Sequence, residues 1–220
     1  MSSVKYNKKY VDEENPGRVT KFDFPNQFTK IISQLPRNSR VLDIGVRTAS
    51  LTIFCHQINS SLEYHGIDLE KATNLPTYLK FKKISCEDMN YSAGYFDFVI
   101  CSQILEHMID PQKTMAEIKR VLKKGGMGII CVPHYRSLFL PDGLCNFYCD
   151  YGHVRPFTKY SLNKILKDND LIPLTVNLHR NIITMMIMPY LLIKSIWNKE
   201  AFDHAMYTLA GAHLVAIFKK

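Results

Sequence analysis

From residue 39 to the end, strand-like and helix-like segments take turns along the chain, and that alternation limits the fold more than any single motif does. Short apolar, β-favouring stretches fall near 40–45, 63–68, 80–84, 96–102, 127–132, 172–179 and 212–218. Between them, "TASLTIFCHQI", "PQKTMAEIKRVLKK" and "TKYSLNKILKDN" carry apolar residues at helical spacing. The middle segment is the clearest. Met115, Ile118, Val121 and Leu122 share a face, Pro111 stands near the first turn, basic residues fill the last turn, and Gly125-Gly126 stop it. The pattern predicts an α/β domain with a mainly parallel sheet.

A chain of 220 residues is long enough for one well-buried domain and short for two. Residues 1–38, with "FDFPNQFTKIISQL" helical in its second half, are expected to form an N-terminal helical cap on a domain spanning 39–220. Within that domain, the aromatic-rich 133–160 reads as an insertion at the ligand end. Ligands of open α/β sheets bind at the carboxyl ends of the strands, so the cap and the insertion are both candidate substrate lids. A second, helical insertion spans about 182–209. Its run "IITMMIMPYLLI", residues 182–193, is broken by Pro189 and falls short of the roughly 20 residues that cross a bilayer. A buried or lid helix is one reading of this run; contact with a membrane surface or a lipid substrate is the alternative.

The start, "MSSVKYNKKYVDEENPG", is polar and acid-bearing, unlike a signal peptide. Cys86, Cys101 and Cys131 lie within or beside predicted strands, as buried reduced thiols do, and a cytoplasmic location is expected. Cys145, Cys149 and His153 recur every fourth residue. A structural zinc needs four ligands and Gly152 interrupts the helix such a face requires, so no metal is assigned. The net charge of +8 favours weak attraction to anionic partners, but the lysines are scattered over element ends and do not indicate nucleic-acid binding.

The chemistry concentrates in "SRVLDIGVRTASLT", residues 39–52. Val41, Leu42 and Ile44 run into Asp43 and Gly45, the way a buried parallel strand ends in a ligand-binding turn. Dinucleotides and S-adenosylmethionine both use a strand, a glycine turn and a helix. A dinucleotide needs G-x-G-x-x-G, and "GVRTAS" keeps only Gly45. A carboxylate at Asp43 would repel a pyrophosphate, yet suits the ammonium and sulfonium of S-adenosylmethionine. Asp68, at the end of "EYHGIDLE", can accept both ribose hydroxyls, although it can also simply cap a following helix. Arg47 and Ala49 occupy positions that such loops usually give to glycine. If the backbone there requires positive φ, each substitution costs on the order of 1 kcal/mol; a turn of Arg47 toward a ligand carboxylate would offset it.

"VLDIG" at 41–45, "GIDLE" at 66–70, "YFDFVICSQILEHMIDPQKTMAEIKRVLKKGGMGIICVP" at 95–133 and "GHVRPFTKYSLNKIL" at 152–166 together resemble the class I S-adenosylmethionine-dependent methyltransferases of the small-molecule and glycan branch. The resemblance covers about residues 39–180. It implies a Rossmann-like, seven-stranded, mainly parallel sheet with helices on both faces, whose antiparallel last strand, "GAHLVAIFKK", inserts beside the fifth. It implies S-adenosyl-L-methionine as cofactor, with Asp43 and Gly45 at its methionine part, Asp68 at the ribose, and Glu87 and Asp88 near adenine. Ser85 stands at one position where relatives often carry Asp. Arg47, Leu69, Ser102 and Gln103 complete the expected cofactor set, and Glu106 and His107 follow toward the substrate mouth.

Methyl transfer is an in-line displacement at an activated sulfonium, so it needs an aligned acceptor more than a protein nucleophile. A base helps when the acceptor is a hydroxyl, and His107, His134 and His153 are the candidates. Tyr135, Arg136, Tyr148, Tyr151 and Arg155 crowd the same insertion and suit a sugar, a planar acceptor or an anion. The expected function is methyl transfer to a small molecule or a sugar or glycan precursor. The competing reading is a methyltransferase-fold protein with a degenerate cofactor loop, acting as a binding or partner subunit. An RNA methyltransferase and a nicotinamide-dependent oxidoreductase are further readings. The first would show steeply salt-dependent affinity for polyanions, and the second lacks its fingerprint. A homodimer and peripheral membrane contact stay open.

Overall fold

The computed structural model describes residues 24–70, 74–140, 146–180, 185–194, 196–198 and 213–220, apart from the Cys149 side chain. The expected cap is therefore seen from residue 24, and the expected helical insertion only over 185–194 and 196–198. The elements run α1 (Asn26–Gln34), β1 (Arg40–Ile44), α2 (Ser50–Ile58), β2 (Glu63–Asp68), β3 (Leu79–Lys83), β4 (Phe96–Ser102), α3 (Pro111–Val121), β5 (Leu122–Pro133), α4 (Lys159–Asp168), β6 (Ile172–His179), α5 (Met188–Lys194) and β7 (His213–Lys219). Among the described residues no helix is long and apolar enough to cross a membrane.

The strands form one seven-stranded sheet ordered β3-β2-β1-β4-β5-β7-β6. β1 pairs in parallel with β2 and β4, as do β2 with β3 and β4 with β5; β7 lies antiparallel between β5 and β6. This is the sheet the sequence implies. Alternation along each strand divides the core in two. Leu42, Ile44, Val99 and Cys101 point to the face covered by Met115, Ile118 and Val121 of α3 and Leu162 and Leu166 of α4. Val41, Phe98 and Ile100 point to the other face, where Phe28 and Ile32 of α1 and Phe54 and Cys55 of α2 bury themselves. β6 is the edge strand, which is why Pro173, lacking an N–H, is tolerated there beside a register shift.

Two helices start where local chemistry says they should. Asp110 accepts a bond from the Gln112 N–H at 3.1 Å with Pro111 in the first turn, and Thr158 and Ser161 form a reciprocal capping box. One boundary differs from expectation. α3 ends at Val121, not beyond Lys124, because Leu122 is fully buried and pairs with Phe96 to open β5. The next β4–β5 pair is Phe98 with Met127, so the residues between bulge out; Lys123 bonds Asp97 at 2.7 Å and Gly125 turns at φ 79°.

Candidate active site

Strand order reverses between β1 and β4, and in an open α/β sheet the crevice beyond the strand ends at that point is where ligands bind. Asp43 reaches it from β1. Its carboxylate is 4% exposed, and Oδ2 accepts a 2.7 Å hydrogen bond from the Thr52 hydroxyl in the first turn of α2. Burial drives the Asp43 carboxyl up to about 7; the Thr52 bond opposes this and the nearby Asp68 charge adds to it. The carboxylate is thus poised for a cation that would take the place of lost water.

Gly45 follows at φ 75°, with its N–H bonded to the Ile67 carbonyl at 2.8 Å. A Cβ there would stand 2.0 Å from Cδ1 of Ile104, so the glycine serves both the turn and the close approach of the segment after β4. Arg47 and Ala49 adopt the glycine-like backbone that the loop pattern implies, at φ 43° and 59°. The strain is therefore real and is carried by L-residues. The Arg47 side chain points to solvent, and its backbone N–H donates to Asp68 Oδ2 at 3.0 Å. Asp68 also accepts from the Glu70 N–H at 3.3 Å.

The remaining expected cofactor residues lie around the same ends. Leu69 is exposed beside Asp68. Glu87 and Asp88 are exposed in the turn after β3, whose Ile84 N–H is bonded to the Asp68 carbonyl. Ser102 ends β4. Gln103 sits at φ 55°, another left-handed non-glycine, with its N–H on the Cys131 carbonyl at 2.8 Å.

Beyond Gln103, Ile104 packs over Gly45 and a 3-10 turn, Leu105–His107, opens the acceptor side. Glu106 is completely buried there, and neither carboxylate oxygen has a hydrogen-bond partner among the described residues. Burial pushes its carboxyl up to about 8, with the Asp150 charge adding to the effect. The segment 150–155 folds against this turn: the Val154 N–H bonds the Glu106 carbonyl at 2.8 Å. His107 and His153 come together with ring centroids 4.7 Å apart, and His153 Nε2 lies 4.0 Å from Glu106 Oε1. Burial, helped by the neighbouring His153, holds His107 below the usual imidazole range. His134 does not share this contact; it is buried after β5, with its ring against Tyr135 at 4.5 Å.

The sequence reading names the acceptor-side histidines but not the burial of Glu106, and it misses Thr52 and Ile104. Thr52 carried a signal, since a hydroxyl one turn into the helix after a strand-end acid can turn back toward it. The Cys145 and Cys149 side chains lie outside what the structure describes.

A family model described as a methyltransferase domain matches residues 20–176. The ubiquinone/menaquinone biosynthesis C-methyltransferase UbiE of Vibrio vulnificus is 26% identical over 143 residues, 59% of this chain and 54% of that protein. The chain spans only part of the length of the curated relatives it matches, from 7% to 63%. In fold, it is similar to the putative methyltransferase complexed with the Trm112 activator of Haloferax volcanii, with a TM-score of 0.68, 15% identity and 88% of each chain covered. It is also similar to geranyl diphosphate C-methyltransferase of Streptomyces coelicolor, solved with Mg2+, geranyl diphosphate and S-adenosyl-L-homocysteine, with a TM-score of 0.64, 12% identity, and 88% of this chain and 75% of that one covered. With a strand order that brings the buried Asp43 and the half-buried Asp68 to neighbouring strand ends and a family match over most of its length, the chain belongs to the class I S-adenosylmethionine-dependent methyltransferase family.

Proposed function

We propose that the protein transfers the methyl group of S-adenosyl-L-methionine to a small-molecule acceptor, a sugar or glycan precursor being one such class. The observation that carries this reading is Asp43: a buried carboxylate at the switch point, held by Thr52 and short of positive charge, suits the donor's ammonium. The donor, when bound, supplies a methyl group already activated on a sulfonium.

The chain's own residues bind and orient. Asp43 holds the ammonium end, and Gly45 keeps the turn open beside it. Asp68, its carboxylate fixed by the Arg47 and Glu70 N–H groups, keeps lone pairs for the ribose hydroxyls. Glu87, Asp88 and Leu69 stand at the base end, and Ser102 and Gln103 close the methionine end. Arg47, free to swing from solvent, pairs with the donor carboxylate and offsets the strain of its own backbone. On the acceptor side, His107, held below the usual imidazole range by burial, and His153 orient the nucleophile, and the exposed rings of Tyr148 and Tyr151 provide stacking area.

Calorimetric titration with S-adenosylmethionine and S-adenosylhomocysteine, with NADH as control, tests the donor site. Binding of both, weakened at least about tenfold in Asp68→Ala, is the expected result. A well-folded chain that binds neither is a partner subunit and not an enzyme by itself.

A further inference from the structure

Glu106 is the least expected side chain in the molecule. A fully buried carboxylate with two unpartnered oxygens is a costly arrangement unless something outside the chain completes it. Two imidazoles surround it. One ligand atom from each of Glu106, His107 and His153 lies within 4.8 Å of the others. We propose that these three residues bind one divalent first-row transition-metal ion of the zinc type, whose open coordination positions hold an oxygen of the acceptor. The metal-binding half stands on the cluster alone, and the acceptor half rests on the methyl-transfer reading above.

The donor set is specific. Two imidazoles and one carboxylate, with no thiolate and fewer than four protein ligands among the described residues, form the pattern of metal sites that keep positions free for substrate, and imidazole nitrogen prefers zinc, iron or cobalt over magnesium. The imidazoles are prepared for it. His153 Nδ1–H donates to the Phe147 carbonyl at 2.7 Å, which fixes the tautomer and leaves the Nε2 lone pair directed at the Glu106 side of the cluster. Around that nitrogen, Glu106 Oε1 lies at 4.0 Å and Asp150 Oδ2 at 3.9 Å. Ligand atoms about 2.1 Å from a metal stand roughly 3 to 3.5 Å apart, so small side-chain rotations close the site. Asp150, half exposed at the rim, is placed to accept from a metal-bound water or to join as a further ligand.

The backbone is shaped to the same end. A Cβ on Gly152 would stand 2.7 Å from His107 Nδ1, so only glycine lets this segment lie against the His107 ring and bring His153 across to it. The Val154 N–H bond to the Glu106 carbonyl then clamps the segment to the 3-10 turn. Ile104, two residues before Glu106, packs over Gly45, which puts the cluster beside the donor loop. A metal held there aligns an acceptor oxygen with the methyl group.

The test uses the full, tag-free chain stripped with a chelator. Zinc is titrated by calorimetry, and Co2+ by its visible d–d absorption, into the wild type, Glu106→Gln and His153→Gln. Thermal unfolding and S-adenosylhomocysteine affinity are measured on each protein. The proposal expects one metal per chain, a cobalt spectrum of low-symmetry nitrogen–oxygen coordination, and affinity at least about tenfold weaker in both variants, with S-adenosylhomocysteine binding kept. Folded wild type that takes up no metal, or variants that bind it as well as wild type does, would overturn it. Metal binding without S-adenosylhomocysteine binding supports the metal site and removes its acceptor role along with the methyl-transfer reading. S-adenosylhomocysteine binding without metal overturns the site and leaves that reading intact.

Discussion

Two buried carboxylates stand at the ends of neighbouring strands and are treated in opposite ways. Asp43, at the end of β1, has a partner within the fold: Thr52 donates to it at 2.7 Å. Glu106, four residues past β4, has none among the described residues. Burial raises both, to about 7 and about 8. An acid with one internal hydrogen bond is held ready for a cationic ligand group at neutral pH, whereas an acid with no bond at all marks a place the chain leaves unfinished. The donor side is built from tight backbone and little else; the acceptor side is built by a distant segment laid over a short turn.

The largest break in this comparison comes from Asp43→Asn. Donor affinity is expected to fall at least about 100-fold in calorimetry, since the ammonium loses its charged partner. Thermal unfolding at pH 8 should show the same variant more stable than wild type by on the order of 1 kcal/mol or more, because a buried charge has been removed. A variant that loses both affinity and stability would mean that Asp43 is a structural acid and the two sides do not differ as described.

Gly45→Ala strikes both sides together, since its Cβ meets both the left-handed turn and Ile104. Chemical denaturation should show a loss of about 2 kcal/mol, with donor binding weakened as the turn shifts. Full stability and affinity in this variant would uncouple the donor loop from the segment that leads to Glu106.

The pH dependence sharpens the comparison further. Asp43 titrates near 7 in the folded chain against 3.8 unfolded. Its folded pKa is raised, so from about pH 4 to 7 the folded state holds a proton that the unfolded state has lost. This group's contribution to stability therefore falls as pH rises through that window and is level above it. Donor affinity moves the other way, gaining about tenfold between pH 6 and 8 as the carboxylate ionises. An affinity flat over that range would remove Asp43 from the ammonium site.

The smallest expected effect is at Ala49, buried with φ 59°. Ala49→Gly should raise stability by up to about 1 kcal/mol with little change in donor affinity, a shift of a few degrees in the melting temperature. A destabilised variant would show that the Ala49 methyl, packed in the core, is worth more than the strain it causes.

Much of this was legible in the chain itself. The alternation located six of the seven strands to within a residue at each end and the fifth except for its first five residues, and "DIG" and "GID" placed Asp43, Gly45 and Asp68 at the carboxyl ends of β1 and β2, where the structure has them. The end of α3 was less legible, because the apolar spacing through Leu122 fits a helix face and a buried strand start equally well. Arg47 and Ala49 were recognisable as departures, but their φ angles were not. Whether a loop relaxes to suit its residues or holds its shape against them depends on what surrounds it, and the bonds to Ile67 and Asp68 hold it.

Local chemistry that acts over a few residues belongs to the sequence: apolar periodicity, helix caps, and an acid followed by glycine at a strand end set the elements and the donor turn. Long-range burial belongs to the tertiary structure. Glu106 and His153 are far apart along the chain, and nothing in "QILEHM" or "YGHVRP" states that one will bury the other's partner. The closing of 150–155 over the turn after β4, permitted by Gly152, brings His153 across to His107 and leaves Glu106 a buried acid facing two imidazoles, without a hydrogen-bond partner among the described residues. Desolvation is a property of the whole packed surround, and for that reason it was decided by the fold.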